Sequence, residues 1–179
     1  MKKIIIDIGT GDGKLVLKNA IKNKQNFYIG IDPVKENFVK KKNMPENAML
    51  LVGSLENLPK IEAEQKADEI SVILPWGSLL EAIVLANTDL LKNIKSIAKS
   101  GASFEFVFSS ENFDNLSLPK ISKDYFGFDY KAKLRSAGLI VKTVEVLSND
   151  EIKNYGSSWA NKLAYGRKRE FFRICGIIG

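Results

Sequence analysis

Apolar and polar positions along this chain alternate between two periods. Short apolar runs fall at Ile4–Ile8, Phe27–Ile31, Met49–Val52, Ile70–Leu74, Ser103–Phe108, Ile140–Val146 and Phe171–Ile178, and each predicts a strand. Between them lie segments with helical spacing. Lys14–Lys22 carries Leu15, Val16, Leu17, Ala20 and Ile21. Leu79–Ala86 follows the fourth run, and Asp89–Ala98 sets Leu90, Leu91, Ile94, Ile97 and Ala98 on one face. Tyr130–Ala137 stops at Gly138, which predicts a helix C-cap there. Apolar runs alternating with amphipathic helices predict an α/β fold, with a sheet covered on both faces. Seven runs, the last two without a clear helical crossover, predict seven strands in a mostly parallel sheet. Segments 109–124 and 148–169 fit neither period. Loops beyond about a dozen residues in a compact domain usually have a function or are disordered. Both are read as substrate-facing insertions in one domain spanning 1–179.

The junction after the first strand carries the sharpest chemistry. Ile4–Ile6 pass through Asp7 into Gly9-x-Gly11-x-Gly13, and the second strand ends in Asp32 and Pro33. Glycines tolerate positive φ and let backbone approach a ligand closely. An acid at the tip of the next strand accepts hydrogen bonds from ribose hydroxyls. Dinucleotide loops use G-x-G-x-x-G to receive a pyrophosphate. Here the third glycine comes one residue early, and Asp7 and Asp12 flank the loop. Two carboxylates repel a pyrophosphate and suit the amino group and sulfonium of S-adenosylmethionine (SAM). The spacing resembles motif I of class I SAM-dependent methyltransferases, which have a Rossmann-like sheet. A nicotinamide site and an ordinary strand-to-helix turn are the alternatives.

Composition narrows the chemistry. With no histidine and only Cys175, imidazole bases, intramolecular disulfides and His- or Cys-based zinc sites are excluded. No metal is expected. Long uncharged apolar stretches are lacking, which predicts no membrane span and a cytoplasmic protein. Within the net charge of +6, two basic clusters stand out. Lys40–Lys42 form one run; Lys162, Arg167, Lys168, Arg169 and Arg173 form another near the C-terminus. Such clusters fit an anionic partner, a solvated face being the plainer reading.

Three further positions carry candidate roles. After the third strand, Leu55 is placed to contact an adenine ring face and Glu56 its exocyclic amine, unless Glu56 is only a solvated loop acid. The fourth strand ends in Leu74-Pro75-Trp76-Gly77, at the carboxyl end where ligands lie in open α/β sheets. Methyltransferases acting on exocyclic amines often have D/N-P-P-Y/F/W here. Pro75 and the aromatic are kept, but Leu74 replaces the polar residue. That favours an aromatic ring nitrogen, whose lone pair needs no general base. Trp159 lies in Ser157-Ser158-Trp159-Ala160, just ahead of the basic cluster. Trp76 and Trp159 together can sandwich an extruded base, and Arg167 and Arg169 can hold neighbouring phosphates. Core packing is the competing role for both tryptophans.

The blocks I-D-I-G-T-G-D-G-K, F-Y-I-G-I-D-P-V-K-E-N, L-P-W-G-S-L-L-E, F-E-F-V and S-S-W-A-N-K-L-A-Y-G-R-K-R-E-F-F-R together resemble the 16S ribosomal RNA adenine-1408 N1 methyltransferases. The resemblance spans nearly the whole chain. It implies SAM as methyl donor, 16S rRNA in the assembled 30S subunit as substrate, and resistance to aminoglycosides such as kanamycin and apramycin. It places the family's cofactor acids on Asp7 and Asp32, with Glu56 near the adenine, and its base-stacking tryptophans on Trp76 and Trp159. The serine near the target falls on Ser157, and the RNA-contacting basic residues on Lys162, Arg167 and Arg169, with Lys168 in the same block. The chain departs from the family pattern in starting almost at the first core strand and in being shorter after Asn37. A monomer is expected. A tRNA guanine-N7 methyltransferase and a non-catalytic RNA-binding protein are the alternative functions.

Overall fold

The computed structural model describes residues 2–39, 44–109, 118–155 and 170–179. Its apolar runs become β1 (Ile4–Ile8), β2 (Phe27–Asp32), β3 (Ala48–Val52), β4 (Ala67–Ile73), β5 (Ala98–Ser109), β6 (Leu139–Leu147) and β7 (Phe171–Ile178). The helices are α1 (Lys14–Lys22), α2 (Gly77–Val84), α3 (Thr88–Leu91), α4 (Ile94–Ile97), α5 (Phe128–Ser136) and α6 (Asn149–Tyr155). The strands form one sheet in the order β3-β2-β1-β4-β5-β7-β6. The first five pair in parallel, and β7 runs antiparallel between β5 and β6. This is the seven-stranded, mostly parallel sheet that the pattern predicts. Chain order reverses between β1 and β4, which opens a crevice at the carboxyl ends of those strands.

Side-chain alternation sends neighbouring residues of β5 to opposite faces. Phe104, Phe106 and Phe108 join Ile6, Ile29, Ile70 and Phe172 in the main core, covered by Leu80 and Ile83 of α2, Leu91 of α3, Ile94 of α4 and Leu134 of α5. On the opposite face Val107 packs with Ile152 of α6, Leu147 and Phe171. There too, Val16 and Ala20 of α1 pack on Tyr28 and Ala48. Helices therefore cover both faces. Tyr130 anchors α5 by donating its buried hydroxyl to the Ile83 carbonyl at 2.8 Å.

Several expectations shift. The helix expected over Asp89–Ala98 is two short helices, and Ala98 already belongs to β5. Asn87 caps the first, its side chain accepting the Leu90 N–H at 3.2 Å. Asn93 interrupts the pair, donating its amide to the Leu55 carbonyl at 3.0 Å. Leu74, expected to end the fourth strand, lies outside it with φ 55. Segments 109–124 and 148–169 are not wholly irregular. Ser109 ends β5, Ile121 buries itself in the main core, and Asn149–Tyr155 is a helix. The C-cap of α5 is Ala137, one residue before the Gly138 expected; Gly138 follows with φ 84 and donates its N–H to the Arg135 carbonyl at 2.9 Å.

Candidate active site

β1 delivers Asp7 to the crevice and then turns through three left-handed glycines, Gly9 (φ 76), Gly11 (φ 60) and Gly13 (φ 76). The Gly9 and Thr10 N–H groups both donate to the Ile31 carbonyl of β2, at 2.8 and 3.1 Å. That bond pair holds the loop against the neighbouring strand. Asp32 completes the frame. One carboxylate oxygen accepts the Gly11 N–H at 2.8 Å and the other accepts the Val34 N–H at 2.9 Å. Each oxygen keeps a lone pair for a ligand.

Asp7 is 6 % exposed. The Ser71 hydroxyl of β4, its register partner, donates to it at 2.7 Å. Burial pushes its carboxyl up to about 6; the Ser71 and Thr10 hydroxyls oppose that shift, while the charges of Asp32 and Glu105 add to it. Thr10 Oγ1 itself is buried and outside hydrogen-bond geometry with any described partner. Asp12 is less available than its position promised. Lys14 Nζ lies 2.7 Å from one carboxylate oxygen, and the Lys14 N–H donates to the other at 3.0 Å.

A cleft of about 860 Å³ runs from this loop across the strand ends. Asp7, Gly9, Gly11, Asp32, Pro33, Leu55, Glu56, Pro75 and Trp76, named from sequence, all line it. Gly13 instead caps α1. Leu55 borders the cleft while packed in the main core. Hydrogen bonds from the Ser54 hydroxyl, its own backbone and the Ser78 hydroxyl hold the Glu56 carboxyl below its ordinary value. Among the described residues, four acids (Asp7, Asp12, Asp32 and Glu56) line the cleft against one cation, Lys14. The cleft therefore suits a positively charged, hydroxyl-bearing ligand and opposes a pyrophosphate.

The far wall is set by backbone geometry at Leu74. A non-glycine residue at positive φ is strained, and here two interactions hold it. The Leu74 N–H donates to the Val107 carbonyl at 2.7 Å, and its side chain is buried with Val107, Ile152 and Phe171. The chain then turns outward through Pro75, leaving Trp76 at the N-cap of α2 and 40 % exposed. Trp76 is therefore not a core aromatic.

Ser157, Trp159, Lys162, Arg167, Lys168 and Arg169 lie outside the described residues. Arg173, the last cation of the same run, is engaged within the sheet. It pairs with Glu145 across β6 and β7, its Nε donating at 2.7 Å. Beside it, the Tyr155 hydroxyl of α6 donates to Glu105 at 2.6 Å. Sequence reasoning missed Ser71 and Ser78, because strand register and the start of α2 bring them to the acids. No local pattern marks either one.

The family described as "NpmA: 16S rRNA (adenine(1408)-N(1))-methyltransferase" matches residues 1–178. The 16S rRNA (adenine(1408)-N(1))-methyltransferase of Escherichia coli is 42% identical over 192 residues, covering 98% of this chain and 87% of that protein. This chain belongs to that family.

The family assignment makes the protein a methyltransferase. A family protein from Streptoalloteichus tenebrarius is 25% identical, over 98% of this chain and 86% of its own length. Among solved structures, an antibiotic-related methyltransferase superposes with a TM-score of 0.84 at 38% identity, covering 99% of this chain and 89% of that one. The fold is shared more widely. A mutant of the Catenulisporales acidiphilia 16S rRNA (adenine(1408)-N(1))-methyltransferase, solved with its cosubstrate SAM, gives a TM-score of 0.79 at 24% identity. It covers 98% of this chain and 85% of its own. The acid-lined crevice of this methyltransferase lies at the β1/β4 switch point of that fold. No helix among its described residues is long and apolar enough to cross a membrane.

Proposed function

We propose that this methyltransferase transfers a methyl group from SAM to N1 of adenine 1408 in 16S rRNA of the assembled 30S subunit, conferring resistance to kanamycin and apramycin. The observation that carries this reading is Trp76. It stands half-exposed at the rim of the cleft whose opposite wall is built by Asp7 and Asp32. Bound there, SAM supplies a methyl group made electrophilic by its sulfonium. Asp32 offers its remaining lone pairs to ribose hydroxyls, Asp7 faces the cationic portion, and Leu55 and Glu56 flank the adenine. The loop acids are suited to such a ligand.

On the substrate side, Trp76 stacks on the flipped target base and Trp159 closes on its other face. Ser157 sits near the target, and Lys162, Arg167, Lys168 and Arg169 hold the surrounding phosphates. Adenine N1 carries a free lone pair and no proton to remove. A chain without histidine, with an apolar Leu74 where amine methyltransferases place a polar group, is suited to that atom. Orientation and proximity then carry the rate. The enzyme acts as a cytoplasmic monomer without a metal.

Primer extension on 16S rRNA from cells expressing the gene tests the reading, because N1 methylation blocks Watson–Crick pairing. A new stop at adenine 1408 is expected. In parallel, 30S subunits and total tRNA are incubated with the protein and labelled SAM. Label confined to tRNA overturns the proposal in favour of a tRNA methyltransferase.

A further inference from the structure

α5 carries the most exposed large apolar side chain described. Phe128, its first residue, is 85 % exposed, whereas Tyr130 and Leu134 of the same helix are buried. At about 100° per residue, Ala132 and Arg135 fall within about 40° of Phe128, and Lys131 within about 60°. These four are exposed. Asp129 lies about a quarter turn away. Neither Lys131 nor Arg135 is in a salt bridge among the described residues. The turn that leads into the helix adds exposed Lys120 and Lys123, and also exposed Asp124. Over 120–136 there are five cations (Lys120, Lys123, Lys131, Lys133, Arg135) and two acids (Asp124, Asp129), a net +3.

The placement of this stripe is decided by packing. Phe126 lies against Phe108, near the end of β5, at 5.8 Å, and against Phe172, near the start of β7, at 5.1 Å. Both ring pairs are at the end of the sheet where Asp32 and Trp76 leave their strands. α5 then runs back to Gly138 at the opposite end. Phe128 therefore sits on the cleft end of the molecule, on the flank formed by the β5–β7 half of the sheet.

Resting on the reading above, we infer that the outward stripe of α5, Phe128 with Lys131 and Arg135, is an accessory RNA-binding surface for the 30S subunit, separate from the transfer site. The two cations take backbone phosphates. Phe128 offers an aromatic face to an unpaired base or a ribose, and an uncharged contact releases no counterion. The charge complementarity favours polyanionic RNA over a second copy of this chain, whose own α5 stripe is basic as well.

Binding of the full chain to 30S subunits, measured from 50 to 200 mM salt, tests this. Removing one phosphate-binding cation should flatten the log–log salt slope by about 0.7–0.9. K131Q/R135Q should therefore flatten it by roughly 1.4–1.8 and weaken binding at least tenfold at the low-salt end. F128A should weaken binding about fivefold or more with the slope unchanged. SAM affinity by calorimetry should match the wild type in both variants. Wild-type affinity and slope in both variants, with the wild-type protein binding 30S, overturns the surface and leaves the functional reading intact. A wild-type protein that binds no 30S overturns both. Sedimentation showing a wild-type dimer that F128A converts to monomer assigns the stripe to self-association and overturns the RNA-binding role.

Discussion

Asp7 joins two opposing demands in one side chain. Its folded pKa of about 6 lies above the ordinary carboxylate value, mainly because it is buried. The folded protein therefore holds a proton that the unfolded chain releases between about pH 4 and about 6. Folding stability should fall as pH rises through that window. Above it, ionised Asp7 costs on the order of 3 kcal/mol. Asp7→Asn should thus raise the melting temperature at pH 7.5 by roughly 5 °C, since Ser71 still finds an acceptor. If Asp7 faces the cationic part of SAM as proposed, the same change should weaken SAM binding. In the wild type, SAM affinity by calorimetry should drop as pH falls through about 6. Ser71→Ala removes the hydrogen bond that favours the charged form and should move that drop to higher pH; Ser71→Thr should hold it in place. A Ser71→Ala loss that is equal at every pH would mean that the serine only supports the sheet. Asp7 was legible from sequence as the acid before a glycine loop. Its burial, its charged neighbours Asp32 and Glu105, and its serine partner depend on three other strands, β2, β5 and β4.

Elements separate glycines that serve the ligand from glycines that serve the fold. A Cβ built on Gly11 meets nothing within 4 Å, so the position opens to space. Its φ of 60 strains any other residue by roughly 1–2 kcal/mol. Gly11→Ala should give a folded protein, modestly destabilised, whose SAM affinity falls disproportionately. Gly176 in β7 is the opposite case. A Cβ there would overlap the Ile140 carbonyl oxygen and come within 2.5 Å of Phe104. Gly176→Ala should yield little soluble protein, or a melting point lowered by well over 5 °C. Thermal melts and calorimetry on the pair check both statements. The first glycine announces itself in G-x-G-x-G. Nothing around Gly176 does, because its crowding comes from β6 pairing with a register shift between Val141 and Thr143. The same holds for α6, whose Ile152 and Tyr155 are too few apolar positions to reveal a helix until β5 and β7 receive them.

Across the whole molecule, the proposed base clamp would join the turn after a strand to a segment about eighty residues later. Trp76→Ala and Trp159→Ala should each lower methyl transfer to 30S subunits steeply, at least a hundredfold, with SAM affinity little changed. Trp76 is 40 % exposed, so its truncation should lower the melting temperature by only a few degrees. The double variant should be little worse than either single one, because a base released from one face is no longer held by the other. Strictly additive losses would remove the sandwich and leave the cofactor cleft. The Leu74 kink adds a second long-range dependence. It is held open by Val107 of β5 and packed by Ile152 of α6, so the tryptophan's outward pose draws on elements far along the chain.

By itself the sequence determined the class of fold, the glycine loop with its two strand-end acids, and the family, because each of these is written in local spacing. Apolar period specifies strand or helix, and a glycine triplet after a strand specifies a turn, whatever lies elsewhere. Tertiary structure alone decided which polar groups meet. Register set Ser71 against Asp7 and Glu145 against Arg173, taking that arginine out of the basic run in which the sequence had placed it. Packing put Leu74 into a left-handed conformation and turned Trp76 to solvent. It also left Phe128 on the surface. A partner's identity and the burial of a charge are properties of distances between strands, and those distances exist only once the sheet has formed.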